Sequence, residues 1–275
     1  LENAPCDLVP TPRPRRVARC IFSPLKIMAR PFINRLSHSG PVSDQDRKAL
    51  LALEVTPRVY ARGDLIIETG EQADRVFWIE SGCAARYRVT GDGGRQIVNL
   101  MLEGDVFDLQ AVLTARADHN VAALNEVVVA EVEAKAFVDL VSKRPGLAAA
   151  LWWASVQEES ILREQIVRVG RRGALQRLSH LFCEIYRREL LANGYGDRKL
   201  QAPLTRETLA DILGLSSVHV SRTLSRLKSL NAVSVSQGHI VIEDLKRLAQ
   251  IGEFDPRYLH LSDASPGDDH QADAS

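Results

Sequence analysis

Two patterns of apolar and polar residues divide this chain. From Val55 to Val132, short apolar runs recur between turn signals: Leu65-Ile66-Ile67, Val76-Phe77-Trp78-Ile79, Ala84–Val89, Ile97–Leu102 and Val127–Val132. The breaks are Arg62-Gly63-Asp64, Gly70-Glu71, Ser81-Gly82, Gly91-Asp92-Gly93-Gly94 and Glu103-Gly104-Asp105. Short strands between glycine-rich turns predict an all-β barrel or sandwich. Ahead of it, Ser43–Leu53 reads as a capped short helix. Residues 1–40 are rich in Pro and Arg. They read as a mostly disordered lead-in with a short helix at Leu25–Leu36.

Beyond Pro145 the period becomes helical. Pro145 suits a first helical turn, and the run continues to Val169. Leu151, Leu162, Ile166 and Val169 share one face, with Ala154 and Ser155 between them. That face is short and polar for a coiled coil. It predicts half of a dimer interface, with a helix packed on its own barrel as the alternative. Gly170 and Gly173 bracket Arg171-Arg172 and read as a hinge. A further amphipathic helix carries Leu175, Leu178, Leu181, Phe182 and Ile185. Val233–Ser236 and His239–Ile242 flank Gln237-Gly238 and read as a hairpin, followed by a helix near Asp244–Ile251. The tail from Ser262 is acidic, rich in small residues and expected to be disordered.

Pro203–Leu230 carries the sharpest signal. Thr205 is placed to cap a helix, and Glu207 suits its positive N-terminal end. Leu209, Ile212 and Leu213 form that helix's apolar face, Ala210 leaves room for a neighbour, and Gly214 permits a tight turn. Ser216 is placed to cap the next helix, whose Val220, Leu224 and Leu227 point inward. Its other face shows Ser217, Val218, Ser221, Arg222, Ser225 and Arg226. Short side chains near the start let such a helix enter a major groove, and arginine grips guanine edges or phosphates. The bland alternative is a helical hairpin with a solvated basic face. The small residues at the turn and the hairpin that follows argue against it.

Composition changes this picture little. The 275-residue chain is 45% hydrophobic and 25% charged, with formal net charge +0. The total charge therefore points to no partner, but basic residues outnumber acidic ones between Arg171 and Leu230, which supplies a local positive field. Cys6, Cys20, Cys83 and Cys183 form no CxxC pair and no zinc spacing, so they read as free thiols in a reducing cytoplasm. No apolar run approaches the roughly 20 residues that span a bilayer. Ser23, Pro24 and Lys26 interrupt the short apolar patch after the N-terminal arginines, so no membrane partner and a cytoplasmic location are expected.

The order of these parts resembles the Crp/Fnr family of transcription regulators. The resemblance covers Ser43 to Ile251 and rests on LTRETLADILGLSSVHVSRTLSRLK, ARGDLIIETGE and LEGDVFDL. It implies an α+β chain: an N-terminal β-roll (a double-stranded β-helix, jelly-roll-like), a long dimerisation helix, and a C-terminal winged helix-turn-helix. The divisions expected are 1–40 lead-in, 41–144 cyclic-nucleotide-binding-like sensor roll, 145–170 dimerisation helix, 171–252 DNA-binding domain and 253–275 tail. It further implies a homodimer that reads an inverted repeat in double-stranded DNA, with Thr205 and Arg206 joining the contacts of the second helix, and RNA polymerase as a further partner.

The chain also departs from the family. Cyclic-AMP-binding members place Gly-Glu-Leu after the Gly-Asp turn and Arg-Ser or Arg-Thr further on. Here Gly104-Asp105 leads into Val106-Phe107-Asp108-Leu109, and His119-Asn120 stands where Arg-Ser would be. A neutral His is a poor substitute for a bidentate Arg at a phosphate. The effector expected in a pocket of Asp108, Leu109, His119 and Asn120 is therefore not cyclic AMP. Oxygen-sensing members hold an iron–sulfur cluster on closely spaced N-terminal cysteines. Cys6 and Cys20 are too far apart and Cys83 does not complete a set, so no cluster is expected. Ser221-Arg222 matches the recognition pattern of those members, but Val218 replaces its Glu. A rival class is a cyclic-nucleotide-controlled enzyme subunit, and a third is a DNA-binding scaffold with an inert roll. With no P-loop, HExxH, GxSxG or Cys/His nucleophile pair in the sequence, no enzyme is expected.

Overall fold

A computed structural model describes residues 15–16, 30–39, 42–113, 116–193 and 198–261. The chain opens with β1 (Arg15–Arg16), then α1 (Arg30–Leu36) and α2 (Asp44–Leu51). Ser43 caps α2 as its sequence predicts, accepting the Asp46 N–H at 3.1 Å. Eight strands follow: β2 (Thr56–Tyr60), β3 (Leu65–Ile67), β4 (Arg75–Ser81), β5 (Ala84–Val89), β6 (Arg95–Met101), β7 (Val106–Phe107), β8 (Asn120–Ala123) and β9 (Val127–Glu133). The helices α3 (Ala134–Val141), α4 (Pro145–Arg171), α5 (Ala174–Asn193), α6 (Arg206–Leu213) and α7 (Ser217–Ser229) lead to the hairpin β10 (Val233–Ser236) and β11 (His239–Ile242). Last come α8 (Leu245–Gly252) and a 3-10 turn, Pro256–Leu259.

The strands form two antiparallel sheets in the orders β1-β2-β9-β4-β7 and β3-β8-β5-β6. Their facing sides bury Tyr60, Phe77, Ile79, Met101, Phe107, Val121 and Val129 between them. Both outer sides are also covered. The first sheet turns Val76, Trp78, Ala130 and Val132 towards α1, α3 and α4. The second turns Ala85, Ile97 and Leu100 towards α5 and α6. Strands buried on both faces need unbroken apolar runs rather than alternation, which is why VFWI and VVVAEV read as they do.

Two segments expected outside the fold lie within it. Residues 30–39 belonged to the expected lead-in, yet Phe32, Ile33 and Leu36 of α1 are buried, and Phe32 stacks on Trp78 at 4.9 Å. Of the helix expected at Leu25–Leu36, Arg30–Leu36 is described and helical; residues 17–29 lie outside the described residues. In the expected tail, Asp255 caps the 3-10 turn and Leu259 is fully buried. The tail from Ser262 lies outside the described residues.

The four residues of the expected dimer face differ in their surroundings within the protomer. Leu151 is only 7% exposed and packs with Phe137, Leu147 and Ala154 in the molecule's own core. Leu162 and Val169 are half-buried, while Ile166 is 69% exposed. At 3.6 residues per turn, the outward face of α4 is centred on Trp152, Val156, Glu159, Arg163 and Ile166, with Trp152 75% exposed. The apolar period located the helix but not the side that faces away from the roll, because both sides carry apolar residues.

The C-terminal half docks on the roll through the end of α6. The last carbonyls of a helix lack intrahelical partners. Here Gln96 Nε2 donates to the Asp211 and Ile212 carbonyls at 2.8 and 3.1 Å, and Gln165 Nε2 donates to Ile212 at 2.5 Å. Arg95 pairs with Asp211 at 2.7 Å. Arg177 of α5 donates to the Leu213 carbonyl at 2.7 Å. Side chains from β6, α4 and α5 thus converge on one helix end.

Candidate nucleic-acid interface

The two helices predicted from Pro203–Leu230 form with their expected caps. Thr205 Oγ1 accepts the Thr208 N–H at 3.1 Å and starts α6. Gly214 ends it at φ 61, a conformation that glycine adopts without a Cβ clash. Ser216 Oγ accepts the His219 N–H at 3.2 Å and starts α7. Leu209, Ile212 and Leu213 of α6 and Val220, Thr223, Leu224 and Leu227 of α7 are buried. This packing fixes the rotation of α7 about its axis and leaves the opposite face outward.

That outward face holds the predicted residues. Ser216, Ser217, Val218, Arg222, Ser225 and Arg226 are exposed, as is Arg206 at the start of α6. Val218 is 59% exposed. Ser221 is half-buried, and its hydroxyl donates to the Ser217 carbonyl at 2.9 Å. Ser225 donates likewise to Ser221 at 3.0 Å. Both hydroxyls therefore present acceptor lone pairs outward and keep their protons on the helix. Neither Arg222 nor Arg226 has a side-chain ion pair among the described residues, in contrast to Arg177, which serves the fold.

A groove of about 500 Å3 runs between the start of α5 and α7, lined by Ala174, Leu175, Val218, His219, Arg222 and Arg226. His219 was not singled out in the sequence. The signal was present, since His219, Arg222 and Arg226 follow one another at helical spacing along one stripe. Beside this face, β10 and β11 pair in register from Val233↔Ile242 to Ser236↔His239. Gln237 and Gly238 turn the hairpin with φ 50 and 80, the left-handed pair that a two-residue hairpin loop needs.

In the roll, the four residues expected around an effector separate. Asp108 and His119 meet: His119 Nε2 lies 3.5 Å from Asp108 Oδ1, and its Nδ1 lies 2.7 Å from Asp118 Oδ1. Burial raises the Asp108 pKa, and His119 opposes that rise. Leu109 instead packs on the outer core beside α1 and α3, and Asn120 Oδ1 accepts the Thr69 N–H at 2.9 Å. Nearby, Arg86 pairs with Glu158 of α4, which also accepts from Asn99 Nδ2 at 3.2 Å. On the other side of Asp108, a cavity of about 80 Å3 is lined by Arg58, Tyr60, Arg75 and Glu131. Buried Glu131 accepts from the Tyr60 hydroxyl at 2.8 Å and pairs with Arg58 and Arg75, each at 3.0 Å. The sequence flagged neither group, although Glu131 interrupts an otherwise apolar run and is the buried one of the two glutamates in β9.

The cysteines behave as two different cases. Cys83 and Cys183 are buried, and burial raises both thiol pKa values, that of Cys183 to about 12. Cys6 and Cys20 lie outside the described residues. Among the described residues, no cluster of His, Cys, Asp and Glu could hold a metal ion, and no helix is long and apolar enough to cross a membrane.

A β-roll, a long helix and a capped helix pair with a following hairpin are the parts of a transcription regulator with a helix-turn-helix DNA-binding domain. Comparison with known proteins supports that class. Residues 57–144 match the cyclic nucleotide-binding domain family, and residues 176–251 match the Crp-like helix-turn-helix domain family. The chain is 28% identical over 221 residues to the transcriptional activator protein FnrL of Cereibacter sphaeroides, covering 78% of this chain and 88% of that one. It is 28% identical over 197 residues to the nitrogen fixation regulation protein FixK of Azorhizobium caulinodans, covering 71% and 79%. The solved structure of FixK2 from Bradyrhizobium japonicum superposes with TM-score 0.66 at 25% identity, over 72% of this chain and 98% of that one. The chain thus carries a cyclic nucleotide-binding domain and a Crp-like helix-turn-helix domain and is similar to transcription regulators of the Crp/Fnr type.

Proposed function

We propose that the protein is a cytoplasmic homodimer that binds an inverted repeat in double-stranded DNA and acts on transcription through RNA polymerase, by binding rather than catalysis. In this reading residues 41–144 sense, 145–170 pair the protomers and 171–252 read DNA. The observation that carries it is the locked α7. One face is fixed in the core, and the other presents Arg222 and Arg226 without ion-pair partners among the described residues. A second copy would pair along Trp152, Val156, Glu159, Arg163 and Ile166, with Leu162 and Val169 at the margin. The roll responds to something other than cyclic AMP. A second reading needs no small effector, and it is favoured by Glu158, which bridges Arg86 and Asn99 from α4 and already ties that helix to the roll.

The roles on α7 are separable by base-substitution binding series at fixed salt. Arg222→Ala should cost roughly 1–3 kcal/mol per half-site and relax preference at one base pair. Arg226→Ala should weaken all sequences about equally and flatten the salt dependence, the mark of a phosphate contact. Val218→Glu should shift preference towards cytosine at its position. Uniform weakening by Arg222→Ala together with a single-position effect of Arg226→Ala would reverse the two roles.

A further inference from the structure

Two short segments lie outside both family-matched regions and are nonetheless built into the interior. α1 precedes residue 57, and the turn Pro256–Leu259 follows residue 251. They meet on one side chain. Gln157 of α4 is 0% exposed. Its Oε1 accepts from Arg35 Nη2 of α1 at 2.6 Å, and its Nε2 donates to the Leu259 carbonyl. A glutamine amide has one acceptor oxygen and one donor NH2 group, and this one commits both to the two flanking segments.

Arg35 continues into a chain of buried charges. Its Nη1 lies 2.8 Å from Asp105 Oδ1 in the Gly-Asp turn of the roll. The other oxygen of Asp105 accepts from Arg188 Nη2 of α5 at 2.6 Å. Arg188 lies 3.6 Å from Glu184 Oε1, and Glu184 Oε2 pairs with Arg168 of α4 and accepts from the Tyr258 hydroxyl at 2.8 Å. Tyr258 leads back to Leu259 and Gln157, so the contacts close a ring through α1, the roll, α5, α4 and the C-terminal turn. The fit at α1 is close: a Cβ on Gly104 would meet the Pro31 carbonyl oxygen at 2.6 Å.

Buried ion pairs add little net stability over apolar packing, but a buried charge that loses its partner is costly. A domain that swings fully open regains water around these groups. One that docks out of register leaves them unpaired and dry. The ring therefore selects an angle between the halves more than it glues them.

We infer that α1 and the C-terminal turn form a clamp, joined at Gln157, that sets the angle of the DNA-binding domain against the roll and α4. Because α4 carries the outward dimer face, this angle fixes the spacing of the two recognition helices. The DNA consequence rests on the dimeric, DNA-binding reading above; the clamp itself does not.

Arg35→Gln and Gln157→Met, each in the full chain, test it by two measurements. The first is amide hydrogen exchange. Exchange should quicken in β6 and α6, where the halves dock, and stay unchanged between β4 and β9. The second is binding to a duplex carrying the inverted repeat and to one carrying a single half-site. Affinity for the repeat should fall about tenfold while the half-site is bound as before, because a loosened angle lowers the effective concentration of the second helix. Wild-type exchange together with a wild-type affinity ratio in both variants would overturn the clamp. So would equal losses on both duplexes, which would place the effect inside the DNA-binding domain. If Arg35→Gln fails to fold, Gln157→Met, which leaves every charge in place, decides the matter. If the wild-type protein binds neither duplex, the proposed function falls and the exchange result alone judges the clamp.

Discussion

Val218 shows how single residues shape this molecule. An exposed valine on α7 contributes nothing to the core, whereas Val220 two positions on is fully buried. The sequence distinguished the two through spacing alone, since Val220, Leu224 and Leu227 share the inward stripe. Spacing could not show that Asn120 would serve a turn and His119 would face Asp108, because His119 lies in the bend before β8 and the start and register of that strand were not evident. Glu80 is another residue whose setting matters. Burial, aided by nearby Glu103, raises its pKa from 4.5 to about 7, against the Trp78 indole that donates to it. The folded chain then holds a proton that the unfolded chain has released, so this group's contribution to stability falls as pH rises from about 4.5 to 7. Glu80→Gln keeps an acceptor for Trp78 and removes the charge. Its melting temperature should therefore gain on the wild type's at pH 8 by more than at pH 5, as thermal unfolding at both pH values would show. An identical pH dependence in the two proteins would contradict this assignment.

At the scale of elements, legibility followed the apolar period. The strands β3, β4, β6 and β9 and the helices α4 to α8 were visible because each carries a run or stripe of large apolar residues, while β5, with its two arginines, was placed by the glycine turns on either side. β2 begins Thr56-Pro57-Arg58, β7 spans two residues and β8 ends in two alanines. Such segments are strands through their pairing partners rather than their own pattern. α4 illustrates the remaining ambiguity, since large apolar residues lie on both its buried and its exposed sides. The two sides should separate under mutation. Leu151→Ala should destabilise the fold by about 2–5 kcal/mol, the cost of a cavity in a packed core, and leave the oligomeric state alone. Trp152→Glu combined with Ile166→Glu should leave a folded monomer. Analytical ultracentrifugation with thermal unfolding reads both effects, and an unchanged dimer in the double variant would move the interface elsewhere.

At the scale of the whole molecule, the family core and its flanks do different work. The roll, α4 and the winged helix-turn-helix were legible because their glycine turns, caps and stripes follow general rules. A short helix was expected where α1 lies, but its burial was not legible and neither was the C-terminal turn, because both are held by tertiary contacts with Asp105, Gln157 and Glu184. The central claim is that paired α7 helices read a symmetric site with Arg222 at its centre of specificity. Genome-wide mapping of bound sites in the living cell, for the wild type and for Arg222→Ala, tests it with any natural effector present. The account predicts an inverted repeat with half-site centres about 34 Å apart along the duplex, and loss of these sites in the variant. Bound sites without two-fold symmetry, or a map unchanged by Arg222→Ala, would contradict it.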